Sequence, residues 1–311
     1  PKMYPPRKLA MKKQLYINEK QKAFLQAKQK TRVFVGGRGT GKSTEIGFIA
    51  RTKASAMPGG KIFFASTTYN QILTKTLPAI EKIWMEMGMK EGIHYVVGIR
   101  PPKHFQKPYS PPRKYQNVIS FINGFCIEMI SMDRPDLARG GSYDGGEIDE
   151  AALIKREDFT RVLMPSIRGN VHRFGKSHWH QNVNLYTSIP WKSSGYWIFD
   201  FEQKAKDYPT EYFYLESTAY DNIHILTKEG IERLEREMDW LEFQTEVLNK
   251  RILKVPDGFY HKFDNEHHVY QPKYNYENWA GGIRTAGQSD VKDSELLEMS
   301  FDFSGWFNCC T

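Results

Sequence analysis

The sequence predicts an α/β fold in which a mostly parallel central sheet is flanked by helices. Short runs rich in β-branched and aromatic residues alternate with helical periodicity from residue 31 onward, and a glycine-rich turn joins the first strand to the first helix. At 311 residues the chain exceeds a single compact core, so one large domain with a smaller appendage is expected.

The first predicted strand covers residues 31 to 35, and residues 45 to 50 continue as a helix. Between them lie Gly36, Gly37, Arg38, Gly39, Thr40, Gly41, Lys42, Ser43 and Thr44, of which the first eight fit G-x-x-x-x-G-K-[ST]. In such a loop the glycines let successive backbone N–H groups turn onto phosphates, and the positive helix end adds to the field. Lys42 would reach the β- and γ-phosphates of ATP and Ser43 would ligate Mg²⁺.

Residues 61 to 66 read as a second strand, and residues 69 to 87 carry helical spacing in Ile72, Leu77, Ile80, Ile83 and Trp84. Residues 94 to 99 are a further strand. Residues 118 to 122 and 125 to 130 flank Asn123-Gly124, which signals a hairpin. More strands are expected at residues 183 to 189, stopped by Pro190, and at 211 to 217. Residues 228 to 252 then read as one long helix with apolar positions at Ile231, Leu234, Met238 and Leu241.

A phosphate loop does not by itself separate kinases, switches and motors. The pair Asp149-Glu150 points to hydrolysis, because an aspartate at a strand end can hold Mg²⁺ through its water shell and the adjacent glutamate can polarise the attacking water. The run before it holds Gly145, Gly146 and Glu147 and is less apolar than a buried strand should be. Thr187-Ser188 ends a strand, where a hydroxyl could sense the γ-phosphate or could simply belong to a turn. Arg38 and Arg139 are candidates to neutralise charge developing in phosphoryl transfer.

Bulk properties exclude other classes. No apolar run approaches a membrane span and the N-terminus lacks the apolar core of a signal peptide, so neither membrane nor secretion is expected. Cys126, Cys309 and Cys310 make neither a disulfide framework nor a zinc spacing. The net charge of +8 is concentrated at the start, where Lys2, Arg7, Lys8, Lys12, Lys13, Lys20, Lys22, Lys28, Lys30 and Arg32 face one acid, Glu19. Such an arm suits a polyanion such as DNA, or is a solvated tail. A second basic stretch, residues 100 to 114, is broken by five prolines and must be an exposed loop, suited to nucleic acid or to a plain linker role.

As an ordered set, the phosphate loop, Arg139-Gly140 before the acidic strand, Asp149-Glu150-Ala151 and Thr187-Ser188-Ile189-Pro190 resemble the large terminase subunit of tailed double-stranded DNA bacteriophages. The resemblance spans roughly residues 17 to 303. It implies that Gln21 contacts adenine, Arg38 and Lys42 hold phosphate, Ser43 and Asp149 manage Mg²⁺, and Glu150 is the catalytic carboxylate. Thr187 and Ser188 would couple hydrolysis to motion, and Arg139 would act as a finger on a neighbouring subunit. Implied boundaries are a basic arm at 1–16, an ATPase core at 17–220, a helical lid at 221–258, a linker at 259–298, and at 299–311 the first strand of an RNase H-like nuclease domain. Asp302 would be a nuclease metal ligand, although one aspartate followed by nine residues cannot hold two metal ions.

The implied function is ATP-driven movement of viral double-stranded DNA into a procapsid. The implied partners are the portal protein, a small terminase subunit and sister subunits in a homo-oligomeric ring, in the cytoplasm of the host cell. A helicase-like or repair ATPase and a nucleotide-dependent DNA or capsid adaptor without turnover remain the other readings of the same residues.

Overall fold

The computed structural model describes residues 15–252, with strands β1 (Thr31–Gly36), β2 (Lys61–Ser66), β3 (Tyr95–Val97), β4 (Val118–Phe121), β5 (Cys126–Ser131), β6 (Gly145–Ile148), β7 (Asn182–Thr187) and β8 (Tyr212–Ser217). By its contacts the chain divides into residues 1–253 and 254–311. The second part lies outside the described residues, and with it the linker, the strand expected around Asp302, and Cys309 and Cys310. Most of the basic arm, residues 1–14, lies outside them as well.

The strands form one sheet in the order β3-β4-β5-β2-β6-β7-β1-β8. All neighbours pair in parallel except across β4, which runs against β3 and β5. β7 therefore sits between β1 and β6, and Val35 of β1 stands beside Thr187 of β7. Every residue of β1 and β7 is buried, as befits strands covered on both faces. Phe34, Tyr186, Ile49, Phe64 and Trp84 build the core on one face, and Val33, Val35, Phe63, Leu185 and Trp197 build it on the other.

Helix α1 (Glu19–Gln26) precedes β1, and α2 (Lys42–Ala56) follows the glycine loop. The hairpin expected at Asn123-Gly124 joins β4 to β5, with Gly124 at φ +79. The strand expected at residues 94 to 99 is only the three residues of β3. The helix expected at 69 to 87 is α3 (Tyr69–Gln71), a π turn (Ile72–Thr76) and α4 (Leu77–Glu86). Pro78 lacks an N–H and crowds the preceding turn, so a wide turn just before it is the expected adjustment.

β6 corrects the doubt raised by its composition. Gly146 is there because a Cβ would collide with the ring of Phe63, and Gly145 because one would stand 2.6 Å from the Asn182 carbonyl oxygen. Glu147 is buried with a partner, described below. The single helix expected at residues 228 to 252 is likewise corrected. A helix covers Lys228–Glu237, Met238 and Asp239 are extended, and a short helix (Trp240–Glu242) and a π turn (Phe243–Val247) follow. Aspartate favours helix caps over interiors, and the Asp239 carbonyl accepts the Phe243 N–H at the new start. Ala219, Ile231, Phe243 and Val247 form a small separate core in this segment.

Candidate nucleotide site

The glycine loop occupies the end of β1 and bends back into α2. Gly39 (φ +75) and Gly41 (φ +88) take left-handed backbone that a side chain would strain. There is also no room for one, since a Cβ on Gly41 would lie 2.5 Å from Gln21 Nε2 and one on Gly37 2.7 Å from the carbonyl oxygens of Glu246 and Val247. Thr40 Oγ1 donates to the Gly37 carbonyl at 2.9 Å, which closes the turn. The backbone N–H groups of residues 39 to 44 donate to no acceptor among the described residues, as expected for the first turn of a helix and the loop that feeds it. Such a row of aimed amides is a ready anion site.

Lys42 Nζ donates to the carbonyls of Gly36 (2.6 Å) and Gly37 (3.1 Å) and to Ser188 Oγ (3.2 Å). Burial holds its ammonium below the usual lysine range, while Glu150 and Asp149 oppose that shift. Contacts connect the lysine to the segment just after the two carboxylates, since Ser188 meets Lys42 and the neighbouring Thr187 accepts the Ala152 N–H.

Asp149 follows β6, and its N–H donates to the Ala65 carbonyl, so the strand end is fixed. Its carboxylate accepts from Thr76 Oγ1 at 2.5 Å and from the Glu150 N–H at 3.1 Å. Glu150 stands in left-handed backbone (φ 53, ψ 44), a conformation costly for a side-chain-bearing residue and concentrated at functional sites. Burial raises both carboxyl groups above their ordinary range; for Glu150 the neighbouring Asp149 adds to it and Lys42 opposes it. A carboxylate raised in this way is a stronger base.

The hydroxyls that end β7 have partners on both sides. Thr187 Oγ1 accepts the Ala152 N–H at 3.3 Å and donates to the Ser188 carbonyl at 2.9 Å, while Ser188 meets Lys42. Gln21 is buried: its Oε1 accepts the Asn18 N–H (3.0 Å) in the cap of α1 and its Nε2 donates to the Gly41 carbonyl (3.0 Å). Arg38 is 66% exposed and its Nε pairs with Glu246 at 3.1 Å. Arg139 is also exposed and pairs with Asp136 at 2.8 Å, in a surface turn that no described hydrogen bond or ion pair ties to the loop. Ser43 and Thr44 make no side-chain hydrogen bond among the described residues.

Other residues of the site carry no motif. The segment after β8 lies on the loop, where Asn222 Nδ2 donates to the Gly39 carbonyl (2.6 Å), Asn249 Nδ2 donates to the Val35 carbonyl (3.1 Å), and the Glu246 carbonyl accepts the Arg38 N–H. Beneath the loop runs a buried ladder. Arg32 of β1, Asn184 of β7 and Glu147 of β6 stand in register, Lys53 of α2 meets Glu147 at 2.6 Å, and Tyr186 donates to Glu147 at 3.0 Å. Arg32 Nε donates to Asn184 Oδ1 at 2.7 Å, and Asn184 Nδ2 donates to Glu147. The available signal was alternation: Asn182, Asn184 and Tyr186 put polar atoms on one face of an otherwise apolar strand.

No cluster of three or more His, Cys, Asp or Glu forms a metal cage among the described residues. Ser43 and Asp149 offer a hydroxyl and a carboxylate, the hard oxygens that Mg²⁺ takes, one or two of them from protein, together with several waters and substrate phosphate.

A glycine loop between strand and helix, with an acidic strand end two positions away across a parallel sheet, defines the fold class as α/β of the phosphate-loop type. The particular fold is that of phage large-terminase ATPase domains. The ATPase domain of the Thermus phage P74-26 large terminase matches with a TM-score of 0.53 at 18% identity, covering 76% of this chain and 94% of that one. The large terminase of a thermophilic bacteriophage matches with a TM-score of 0.58 at 16% identity, over 84% of this chain and 59% of that one. The same thermophilic phage protein in complex with ATP-gamma-S gives 0.54. This chain thus spans little more than half the length of that second protein. No protein-family model matches the sequence, and no curated protein matches it significantly. No helix of the described residues is long and apolar enough to cross a membrane.

Proposed function

We propose that this chain is the ATP-hydrolysing motor of a DNA-packaging enzyme of the large-terminase kind. The observation that carries the reading is the meeting of unpaired amides at residues 39 to 44 with Lys42, Asp149 and Glu150. The fold it shares with the thermophilic phage protein, a structure of which holds ATP-gamma-S, supports a triphosphate as the anion.

In this reading the phosphates accept from the loop amides, and Lys42 exchanges the carbonyls of Gly36 and Gly37 for phosphate oxygens. Ser43 and Asp149 hold Mg²⁺, with Thr76 and the Glu150 N–H fixing the aspartate. Bound there, the ion would neutralise charge on the phosphate oxygens. Glu150 orients a water and accepts its proton as the oxygen attacks the γ-phosphorus and the bond to the β-phosphate oxygen breaks. When Lys42 turns to phosphate it releases Ser188, so the end of β7 registers the nucleotide. Gln21 contacts the adenine, Arg38 helps Lys42 hold phosphate, and Arg139 acts on a neighbouring subunit of a ring. Portal protein, procapsid, small terminase subunit and duplex DNA are the partners, and the host cytoplasm is the place. Nuclease activity, with Asp302 as a metal ligand, belongs to this reading only if further carboxylates join it.

Glu150→Gln keeps shape and removes the base. Phosphate release is expected to fall by about 10²- to 10⁴-fold with ATP affinity within a few-fold of the parent. Unchanged turnover in the variant overturns the reading, and a parent that binds ATP without hydrolysing it would make the chain an adaptor.

A further inference from the structure

We infer that Thr76 makes the metal position of this site selective, favouring a small divalent ion such as Mg²⁺ over Ca²⁺ by tying down the Asp149 carboxylate. A threonine inside a helix commonly returns its hydroxyl to the carbonyl four residues back. Thr52, Thr74 and Thr160 do so, donating to the carbonyls of Phe48, Asn70 and Arg156 at 2.8, 2.6 and 3.0 Å. A π turn does not prevent it, since Thr74 and Thr160 both lie in one. Thr76, the last residue of the π turn before α4, instead gives its hydroxyl to Asp149 Oδ2 at 2.5 Å, from a distant part of the chain.

Both residues are buried, so bulk water does not compete for that bond. Asp149 Oδ1 accepts the Glu150 N–H, and the Asp149 N–H is held by the Ala65 carbonyl of β2. Each carboxylate oxygen therefore carries one hydrogen bond from a different donor, and turning the group about its own axis breaks both. The donor is itself anchored. α4 begins immediately after Thr76, and the fully buried Trp84 on it donates its indole N–H to the Gly47 carbonyl of α2 at 2.9 Å. Gly47 lies about one helical turn beyond Ser43. The helix that aims Asp149 is thus fixed to the helix that carries the hydroxyl of Ser43.

Selectivity between the two ions is a matter of ligand number and flexibility. Mg²⁺ demands near-ideal octahedral geometry, keeps several waters and takes few protein oxygens, so one fixed carboxylate suits it. Ca²⁺ gathers roughly 6–8 oxygens in an adaptable shell and often takes both oxygens of a carboxylate. A pinned Asp149 cannot turn to offer both, and no cluster of three or more His, Cys, Asp or Glu among the described residues supplies the rest. Without the Thr76 hydroxyl, one of the two restraints is gone and the carboxylate can follow the larger ion.

This inference rests on the reading of the site as one for ATP with a divalent ion, and its test reads binding, not turnover. Mn²⁺ held by the whole chain with ATP is counted by electron paramagnetic resonance against an ATP blank, and Mg²⁺ or Ca²⁺ is titrated in to displace it. The parent should yield Mn²⁺ to Mg²⁺ at lower concentration than to Ca²⁺. Removing a hydrogen-bond partner of a metal ligand typically changes metal affinity by about 10- to 100-fold. Thr76→Val keeps the shape and loses the donor, and should narrow the preference for Mg²⁺ by about tenfold or more. Thr76→Ser restores the donor and should return most of that preference, with thermal unfolding as the check that both variants are folded. A parent that yields Mn²⁺ to both ions alike, a Thr76→Val chain as selective as the parent, or a Thr76→Ser chain no more selective than Thr76→Val overturns the inference alone. A parent that takes up no Mn²⁺ with ATP overturns the reading of the site and the inference with it.

Discussion

Glu45 lies on the first turn of α2, two residues beyond Ser43, fully buried with neither carboxyl oxygen hydrogen-bonded among the described residues. Burial pushes it from 4.5 up to about 8, with Arg32 opposing and Glu147 adding to the shift. The folded chain therefore keeps a proton that the unfolded chain gives up, and this stabilisation, complete below the unfolded value, is lost as pH rises towards about 8. Chemical denaturation should show the parent losing stability between roughly pH 5 and pH 8. Glu45→Gln should flatten that decline and gain on the parent by on the order of a few kcal/mol at the upper end. The same pH dependence in both proteins would contradict this account of Glu45. At this scale the sequence was legible wherever chemistry is local: the loop from Gly36 to Ser43 and the adjacent pair Asp149-Glu150 announce themselves by spacing. Thr76, Asn222, Glu246 and Asn249 do not, because each is an ordinary polar residue given meaning by a chain segment folded back from elsewhere.

Among the elements, β6 shows how a strand can be disguised. Its two glycines make room for Phe63 and the Asn182 backbone, and its glutamate is neutralised from the adjoining helix by Lys53. Both partners are nearly inaccessible, and burial lowers Lys53 to about 8 against the pull of Glu147. Breaking such a pair leaves an uncompensated charge and costs about 3–5 kcal/mol, whereas replacing both partners by apolar groups costs far less. Lys53→Met should accordingly lower stability by about that amount at neutral pH, and adding Glu147→Leu should restore much of it, read by denaturant unfolding. Equal losses in the single and double variants would show that the ladder of Arg32, Asn184 and Glu147 depends on the ions themselves. The helix expected at residues 228 to 252 failed for a different reason. Apolar periodicity continues across Met238 and Asp239 while the backbone does not, since the small core of Ile231, Phe243 and Val247 needs a turn between its two sides.

For the whole molecule, the parallel sheet gives two unlike ends. Strand alternation and hairpin chemistry made that sheet readable, but not its order, and the order is what sets Thr187 and Ser188 between the loop and the acidic pair. Arg139 belongs to this scale, because an exposed arginine paired among the described residues only with Asp136 can serve a ring without serving its own site. Mixed in equal amounts with unaltered subunits in the assembled motor, Arg139→Ala should depress hydrolysis well below the half expected from dilution. Rates that fall only in proportion would remove it from the finger role. The most direct test of the account is a structure of the Glu150→Gln chain with ATP and Mg²⁺. It should show phosphate oxygens on the amides of residues 39 to 44, Lys42 turned from Gly36 and Gly37 to the γ-phosphate, and Ser43 with Asp149 at the ion. Nucleotide bound elsewhere, or Lys42 still on those carbonyls with ATP in place, would contradict it.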